Sequence, residues 1–485
     1  MLSLGLPLLL PVVAVYASPT ARSVEDVCSQ IASTVSSASN VYQPLSIQYE
    51  ADVKHWAASS AERATCSVEP GTAEDVGKIL QIVGSTNTSF AVKGGGHASN
   101  PGFSSTQGVM IAMSRFSNVT LSADKSTVEV GAGLIWDDVY SALEDSGVNV
   151  VGGRVPGVGV AGFTLGGGYS WKTNQYGLTI DNIAAYELVL PNGTVTTVTE
   201  EDEDLWFALR GGGNNFGVVT KFTLVTHPQS DMVWGGLITL TDNAVDAISA
   251  ATANFSATNT DPKAAILPAY NSLLGAPGMA LILFYDGPTP PAGMFDAFLA
   301  PPHFTSDVST RKFADLIQAV PATNPLEGPR AAFMTASVLQ YTPAMLSLVH
   351  NMTREYGTRL AALDTAPFIS FDIEPFLSDI FTHGSASAYP PDRSRGLLPT
   401  NLYFSWELPS LDDEIRGIMK DLASQITAQA VAEGQDVADA FIYGNYALAD
   451  TPLEAIYGGN VARLRAIHNA VDPNNVMALA GGFKF

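Results

Sequence analysis

Three glycine triplets, which occupy residues 94–96, 166–168 and 211–213, constrain this chain more than any other feature. Glycine adopts positive φ angles and leaves backbone N–H groups uncovered by a Cβ, so such loops suit the binding of a diphosphate. Tight turns explain a single triplet equally well. Three triplets in so short a stretch favour an anion-binding role.

A G-x-G-x-x-G pattern at Gly157, Gly159 and Gly162, with Asp181 downstream, offers a Rossmann dinucleotide site as an alternative. The residues that follow, Phe-Thr-Leu-Gly-Gly-Gly, are unsuited to the first turns of an amphipathic helix, and no βαβ pattern surrounds them. The sequence therefore disfavours a Rossmann unit.

The hydrophobic pattern indicates an α+β chain with two domains and a C-terminal segment. Residues 58–228 alternate short Val/Ile-rich strands with helices, as at 72–83 and 135–146. Residues 232–438 contain longer predicted helices at 241–254, 334–363 and 411–433, among predicted strands at 280–285 and 402–408. We place the boundaries near residues 229 and 438.

The N-terminus predicts export. Residues 1–17 form a short apolar stretch that ends in Val-Tyr-Ala, as a signal peptide does; a membrane anchor is the alternative, but the stretch is short and contains Pro7 and Pro11. Glycosylation sequons begin at Asn87, Asn118, Asn192, Asn254 and Asn351. We therefore expect a secreted, extracellular glycoprotein.

Cysteine content and charge limit the possible partners. An oxidising compartment favours a disulfide between Cys28 and Cys66, the two cysteines of the chain; two buried thiols are the alternative. Two cysteines cannot form a thiolate metal site, and the sequence has no HExxH or CxxC motif, so we expect no metal. A net charge of −23 argues against nucleic acid and anionic membranes as partners. We expect a monomer.

Residues 92–99, Val-Lys-Gly-Gly-Gly-His-Ala-Ser, resemble the flavin-attachment loop of the berberine bridge enzyme-like group, whose FAD domain is of the vanillyl-alcohol oxidase or p-cresol methylhydroxylase type. Similar motifs follow in family order at 131–140, 152–162, 166–168, 176–182, 204–213, 215–219, 443–446, 457–460 and 471–476. The resemblance implies a two-part FAD-binding domain (18–229), a substrate domain with an antiparallel sheet covered by helices (230–438), and a segment (439–485) that returns to the FAD domain.

The resemblance implies that a ring nitrogen of His97 bonds covalently to the 8α-methyl carbon of FAD. Bicovalent members have a cysteine where this chain has Val155, so we expect a single covalent link. The family's oxygen-access position falls on Val158, and valine there is associated with oxidases; a packing role is the alternative. The implied electron acceptor is O₂.

The resemblance also implies which other residues surround the cofactor. These are Lys93, Gly94, Gly95, Gly96, Ala98, Ser99, Arg154, Gly159, Gly162, Gly167, Gly168, Tyr169, Asp181, Asn182, Gly217, Val218, Val219 and Asn445.

A tyrosine is the predicted catalytic base. Tyr443 and Asn445 lie in a strand-like run, where alternation directs both side chains to one face, and Tyr443 is the leading candidate. Tyr446, expected on the opposite face, is the fallback. Tyr403, on a predicted strand of the substrate domain, is a possible partner, although an aromatic strand residue more often belongs to the core.

Three functions fit these features. The first is an FAD-dependent oxidase that takes a hydride from a hydroxyl-bearing carbon of a carbohydrate or a small secondary metabolite and produces H₂O₂. The second is a biosynthetic flavoenzyme that forms a ring after oxidation. The third is a secreted flavin-bearing binding protein. Residues of the second domain set the substrate, and no motif identifies them.

Overall fold

The computed structural model describes residues 23–320, 329–364 and 367–485. The predicted signal peptide, residues 1–17, lies outside the described residues. The strands are β1 (Asn40–Tyr42), β2 (Cys66–Glu69), β3 (Phe90–Lys93), β4 (Val109–Ala112), β5 (Val119–Leu121), β6 (Thr127–Gly131), β7 (Val148–Asn149), β8 (Ile183–Val189), β9 (Val195–Val198), β10 (Val218–Val225), β11 (His227–Pro228), β12 (Val233–Thr241), β13 (Ala264–Leu273), β14 (Ala276–Tyr285), β15 (Thr305–Arg311), β16 (Arg330–Val338), β17 (Phe368–Ile373) and β18 (Leu398–Trp406).

The α-helices are α1 (Val24–Thr34), α2 (Ile47–Val53), α3 (Ala73–Thr86), α4 (Trp136–Leu143), α5 (Val160–Leu165), α6 (Thr173–Tyr176), α7 (Glu203–Leu209), α8 (Val245–Thr258), α9 (Asp296–Leu299), α10 (Phe313–Ala319), α11 (Pro343–Ala361), α12 (Asp412–Ala432), α13 (Leu453–Tyr457) and α14 (Val461–Val471). Local signals explain several ends. Thr72 caps α3 by accepting a hydrogen bond from the Asp75 N–H at 3.2 Å, and Asn87 ends it in the left-handed conformation.

Two larger sheets and a short antiparallel pair of β7 and β11 belong to the N-terminal part. One has the order β1-β2-β4-β3, with β2, β4 and β3 parallel, and the other is antiparallel with the order β5-β6-β10-β8-β9. The disulfide between Cys28 of α1 and Cys66 of β2 is present, which confirms that prediction. The segment that it closes, between Cys28 and Cys66, contains the edge strand β1 of the first sheet.

A seven-stranded antiparallel sheet, in the order β15-β12-β14-β13-β17-β18-β16, forms the second part. Helices α8, α11 and α12 cover one face of it. Tyr270 of β13 points to that face, because its hydroxyl lies 2.7 Å from the Ser249 hydroxyl of α8. Side chains of β13 with odd numbers therefore point to the other face, away from the helices.

The α+β class is confirmed, but two local predictions are wrong. Residues 334–363 are not one helix: β16 pairs with β18 through Val338, and α11 begins only at Pro343, after the cap Thr342. A helix does follow the G-x-G-x-x-G pattern, because α5 begins at Val160. It is six residues long, however, and the preceding bridge from Ile135 to Gly159 is antiparallel, so this is no Rossmann unit.

The C-terminal segment packs against the N-terminal part. Ala480 bridges to Phe90 of β3, and the Asn215 amide nitrogen donates to the Phe483 carbonyl at 2.9 Å. His468 of α14 contacts the Asn215 carbonyl through Nδ1 at 3.0 Å. Residues of this segment therefore lie beside the glycine-rich loop at 211–213.

Candidate active site

A cavity of about 740 Å³ lies between the glycine-rich loops of the N-terminal part and the uncovered face of the seven-stranded sheet. Residues of the C-terminal segment, Tyr443 to Tyr446, form another wall. This volume is within the range of small-molecule and cofactor sites. Of the residues predicted around a cofactor, the lining includes Gly94, Gly95, Gly96, His97, Ala98, Ser99, Arg154, Val155, Val158, Gly159, Gly162, Tyr169, Gly217, Val218, Val219 and Asn445.

Two glycine loops meet back to back at the cavity wall. A Cβ on Gly95 would lie 2.6 Å from the Gly159 Cα, and a Cβ on Gly159 would lie 2.5 Å from the Gly95 nitrogen. Neither position tolerates a side chain. Gly162 is different, because nothing lies within 4 Å of where its Cβ would be. Gly95 and Gly159 are needed because the two loops pack closely there, while Gly162 exposes its backbone to free volume at the cavity wall.

His97 is held by aromatic stacking. Its ring lies 4.5 Å from that of Trp56 with an interplanar angle of 15°, and 6.2 Å from that of Phe333. The Trp56 N–H donates to the Gly96 carbonyl at 3.0 Å, which fixes the two segments together. Desolvation lowers the pKa of His97 to about 4. The imidazole is therefore neutral at physiological pH and keeps a nucleophilic nitrogen lone pair.

The structure offers no thiol for a second covalent bond within the described residues. Val155 lines the cavity in the position where the resemblance would need a cysteine. Cys28 and Cys66 are paired with each other. Val158 also lines the cavity and is only partly buried.

The tyrosine segment is not the strand that the sequence predicted. Residues Gly444–Tyr446 form a 3₁₀ turn that begins after Tyr443. Asn445 still contacts Tyr443, since its amide nitrogen donates to the Tyr443 hydroxyl at 2.8 Å. The expectation that Tyr446 lies on the opposite face is wrong, because the turn brings the Tyr443 and Tyr446 rings to 4.9 Å and both line the cavity.

The hydroxyl of Tyr443 is mainly a hydrogen-bond acceptor. It accepts from the Gly168 N–H at 3.0 Å and from Asn445 at 2.8 Å. Burial raises the pKa of Tyr443 to about 12, and these donors and the Arg154 charge oppose that rise. The phenol is thus protonated at neutral pH.

Tyr446 belongs to a buried charged network. Its hydroxyl donates to Glu374 Oε1 at 3.1 Å and accepts from Arg154 Nη2 at 3.0 Å. Arg154 also forms an ion pair of 2.7 Å with Glu374 Oε2, and their side chains are 8% and 1% exposed. Burial raises the pKa of Glu374, and the guanidinium opposes that rise. The Tyr446 proton therefore points at the carboxyl group of Glu374.

Tyr403 also faces the cavity, from β18, and its hydroxyl makes no hydrogen bond of good geometry with the described residues. Burial raises its pKa. Its ring lies 5.5 Å from that of Trp56 and 5.3 Å from that of Phe333, both neighbours of the His97 ring. Tyr403 thus joins the aromatic group around His97.

A polar cluster on β17 and β18 completes the site, and sequence reasoning missed it. Asp372 accepts from Asn401 Nδ2 at 3.0 Å and from the Ser370 hydroxyl, and burial raises its pKa. Ser370 and Asp372 alternate along β17, and Glu374 follows directly after the strand ends at Ile373, so polar side chains recur at every second position here although the sheet is buried. That alternation was the available signal.

Five residues predicted to contact the cofactor do not line the cavity. Lys93 turns away and donates to the Ala51 carbonyl at 3.1 Å. Asp181 is ion-paired with Arg393 at 2.7 Å, and Asn182 donates to backbone carbonyls of neighbouring turns. The remaining two are Gly167 and Gly168, whose φ angles of +132° and +87° serve the turn that packs under the tyrosines.

The site shows neither a metal centre nor a membrane segment. The three described ranges hold no group of three or more His, Cys, Asp or Glu side chains placed to bind a metal ion. No helix in the same ranges is long and apolar enough to cross a bilayer.

The residues present fit a flavin dinucleotide. The glycine loops leave backbone rather than side chains at one part of the cavity wall, as a diphosphate requires. The neutral imidazole of His97 is in the same cavity, and the buried Tyr403 hydroxyl is unsatisfied. A cavity with these groups can hold a dinucleotide and a second, smaller molecule near the tyrosines.

Comparison with known proteins agrees with this geometry. Residues 64–199 match the model of the FAD binding domain family, and residues 442–480 match the berberine and berberine-like family. FAD-dependent monooxygenase tpcD of Cochliobolus heterostrophus is 32% identical, over 86% of this chain and 84% of its own length. An uncharacterized FAD-linked oxidoreductase of Arthroderma benhamiae is 36% identical, over 57% of this chain and 56% of its own.

Two solved structures share the fold at low identity. The 6-hydroxy-D-nicotine oxidase of Arthrobacter nicotinovorans has a TM-score of 0.77 at 19% identity, covering 92% of this chain and 97% of its own. The glucooligosaccharide oxidase of Acremonium strictum, described as containing 6-S-cysteinyl, 8α-N1-histidyl FAD, has a TM-score of 0.74 at 16% identity, covering 94% and 98%.

Proposed function

Because this chain belongs to the berberine bridge enzyme-like family of FAD-linked oxidoreductases, we propose that it is an oxidase of a hydroxyl-bearing carbon. The overall reaction converts the alcohol and O₂ into the carbonyl compound and H₂O₂. The observation that carries the proposal is a proton-accepting pair, Tyr446 and Glu374, in the cavity that the glycine loops line. Tyr446 donates to the buried carboxylate of Glu374 in the same cavity as the glycine loops and His97.

FAD, when bound, would supply the two-electron redox chemistry, with O₂ as the final oxidant. The glycine loops at 94–96 and 159–162 would hold its diphosphate, and residues 217–219 line the same cavity. The protein's own part is to bind the alcohol, orient its carbon and receive its proton.

We assign the proton transfer to Tyr446 rather than to Tyr443. The substrate hydroxyl gives its proton to the Tyr446 oxygen, and Tyr446 gives its own proton to Glu374 Oε1, 3.1 Å away. Tyr443 has no such outlet, because both hydrogen bonds at its hydroxyl are accepted ones. Arg154 stabilises the network by contacting both Tyr446 and Glu374.

We propose a covalent bond between His97 and the flavin 8α carbon, without a second bond. The neutral imidazole supports this, and so does the histidyl link described for the Acremonium strictum enzyme. The cysteinyl link of that enzyme has no counterpart in the cavity wall of this chain, where the candidate position is Val155. Val158 leaves a small side chain at the cavity wall, which supports reaction with O₂.

We also propose that the protein is secreted and glycosylated. The asparagines of all five sequons are exposed in the structure, and the disulfide suits an oxidising compartment. Expression in a eukaryotic secretory host, followed by removal of N-glycans, tests this. Protein retained in the cells without glycan contradicts it.

Peroxide measurement tests the oxidase function. With a panel of alcohols, we expect one H₂O₂ released for each O₂ consumed and each carbonyl formed. The relatives named monooxygenases raise the alternative that one oxygen atom enters the product, and incorporation of ¹⁸O from O₂ would reveal it. A ring-closed product would support the biosynthetic alternative, and flavin that no substrate reduces would support the binding protein.

A further inference from the structure

One part of the cavity is lined by hydrocarbon. It lies on the uncovered face of β12, β13 and β14, where six side chains form what we call the hydrocarbon arm: Leu237, Leu267, Ala269, Leu273, Ala280 and Ile282. The strand register places them together, since Leu237 and Leu267 both pair with Ile282, and Ala269 pairs with Ala280. Five of the six side chains therefore form a continuous surface, and Leu273 is separated from them by Asn271, a polar side chain on the same face of β13.

The arm begins at the polar cluster. Ala269 is the cross-strand partner of Asp372, which in turn pairs with Asn401. From β17 to β12 there are three strand spacings, or about 14 Å. Ala269 and Ala280 are small, which leaves depth in the middle of the sheet. A molecule whose hydroxyl lies at the tyrosines can extend along the arm.

The charged side chains of the cavity lie at the end away from the hydrocarbon arm. Among the described residues that line the cavity, the side chains of formal charge at neutral pH are Arg154, Asp372 and Glu374, all outside the arm. Thr239, beside the arm, already pairs its hydroxyl with that of Thr305 at 2.5 Å. Asn271, the polar side chain on this face of β13, already accepts from the Ser370 hydroxyl at 2.7 Å. A sugar chain would bury more hydroxyl groups here than the Asn271 amide could pair, at a cost of about 1–3 kcal/mol for each unpaired one.

The rim of the arm is also apolar. Leu273 and Leu274, at the tip of the β13–β14 hairpin, are 40% and 56% exposed. Such residues at the mouth of an enzyme cavity suit the entry of a hydrophobic molecule.

From these observations we infer that the substrate is a hydrophobic alcohol with an extended hydrocarbon portion, and not an oligosaccharide. This inference rests on the proposed function for the alcohol group. The hydrocarbon portion of the substrate is inferred from the lining of the hydrocarbon arm alone. The arm selects by the number of carbon atoms buried, and the Tyr446–Glu374 pair acts on the hydroxyl-bearing carbon.

Binding of straight-chain primary alcohols from butanol to dodecanol tests the inference. Each is mixed anaerobically with the holoenzyme, and the rapid change in flavin absorption that precedes any bleaching gives the Kd. Each methylene buried in the arm should tighten binding about fourfold until the arm is full. Cellobiose and xylobiose should leave the spectrum unchanged. An affinity independent of chain length, or tighter binding of a disaccharide than of any alcohol, would overturn the inference.

A variant locates the effect. Ala280→Leu fills the middle of the arm, so dodecanol should bind at least tenfold more weakly while butanol changes less than twofold. Ser306→Leu is the control, because Ser306 is exposed on the edge strand β15 and does not line the cavity. Equal loss for both alcohols in Ala280→Leu, with normal flavin content, would contradict the assignment of the arm.

Turnover separates this inference from the proposed function. Allylic alcohols of the same chain lengths are added under anaerobic conditions, and flavin bleaching is followed. If binding depends on chain length but none of these alcohols reduces the flavin, the alcohol-oxidase proposal fails and the hydrophobic ligand class stands. If disaccharides reduce the flavin and long alcohols neither bind nor react, the oxidase function stands and this inference fails.

Discussion

Removing the charge of Glu374 separates its contribution to stability from its contribution to catalysis, because the two are measured independently. Its ion pair with Arg154 is 2.7 Å long, and the two side chains are 1% and 8% exposed. Glu374→Gln keeps the shape but leaves a buried guanidinium without its counter-ion. Losing one member of a buried pair costs about 3–5 kcal/mol of unfolding free energy. Flavin reduction should fall by about 10²–10⁴, because Tyr446 loses its proton acceptor.

The double variant Arg154→Met/Glu374→Gln makes the test decisive. It removes both charges, so stability should return to within about 1–2 kcal/mol of the wild type. Activity should not return, because Tyr446 still has no carboxylate. Urea denaturation followed by circular dichroism gives the first quantity, and anaerobic stopped-flow reduction gives the second.

The matched control is an exposed ion pair. Arg463 and Asp204 lie 2.9 Å apart with side chains 42% and 70% exposed, so Asp204→Asn should cost no more than about 1 kcal/mol. Flavin reduction by Glu374→Gln within about threefold of the wild type, or recovery of activity in the double variant, would show that Glu374 is not the proton acceptor.

Three further predictions concern the attachment site and the disulfide. The rate of covalent flavin incorporation into apoprotein should be constant from about pH 8 to about pH 5.5 and fall only toward pH 4. The reason is that the lowered pKa of His97, about 4, keeps its imidazole neutral above that pH. A tenfold fall in rate already at about pH 5.5 would indicate a histidine with an ordinary pKa. Trp56→Ala should slow incorporation roughly two- to tenfold while Trp56→Phe keeps most of the rate, because Phe preserves a stacking ring against His97; equal rates in a time course would contradict this. Replacing Cys28 and Cys66 by serine should lower the unfolding free energy by about 4 kcal/mol for a loop of 38 residues in urea denaturation, and a loss below about 1 kcal/mol would exclude the loop-closure explanation.

The glycine loops and His97 were predictable because their information is local. The motif at residues 92–99 brings three glycines and His97 together within eight residues, and residues 94–99 line the cavity. The strand and helix segments of the N-terminal part were similarly readable from short periodic patterns, such as Phe90–Lys93 and Ala73–Thr86.

The proton acceptor was not predictable, because it depends on distant parts of the chain. Tyr446 meets Glu374 across 72 residues and Arg154 across 292. The strand pattern expected at Tyr443 and Asn445 also failed, since a 3₁₀ turn places Tyr446 beside Tyr443. Periodicity describes regular elements, and this segment is a turn held by tertiary contacts.

The helix predicted over residues 334–363 failed for a related reason. Residues 334–338, Met-Thr-Ala-Ser-Val, precede an apolar run of helical pattern, but pairing with β18 makes them part of the edge strand β16. Propensity is a weak guide where a neighbouring strand supplies the hydrogen bonds. The same edge carries Phe333 to the aromatic group around His97.

Acid precipitation of the purified protein tests the central proposal most directly. We expect the yellow colour to remain in the pellet, and mass spectrometry of its peptides to find one flavin, bonded to the peptide that contains His97. A His97→Ala variant should release its flavin to the supernatant. Colour wholly in the supernatant of the wild-type protein, or a flavin on another residue, would contradict the account.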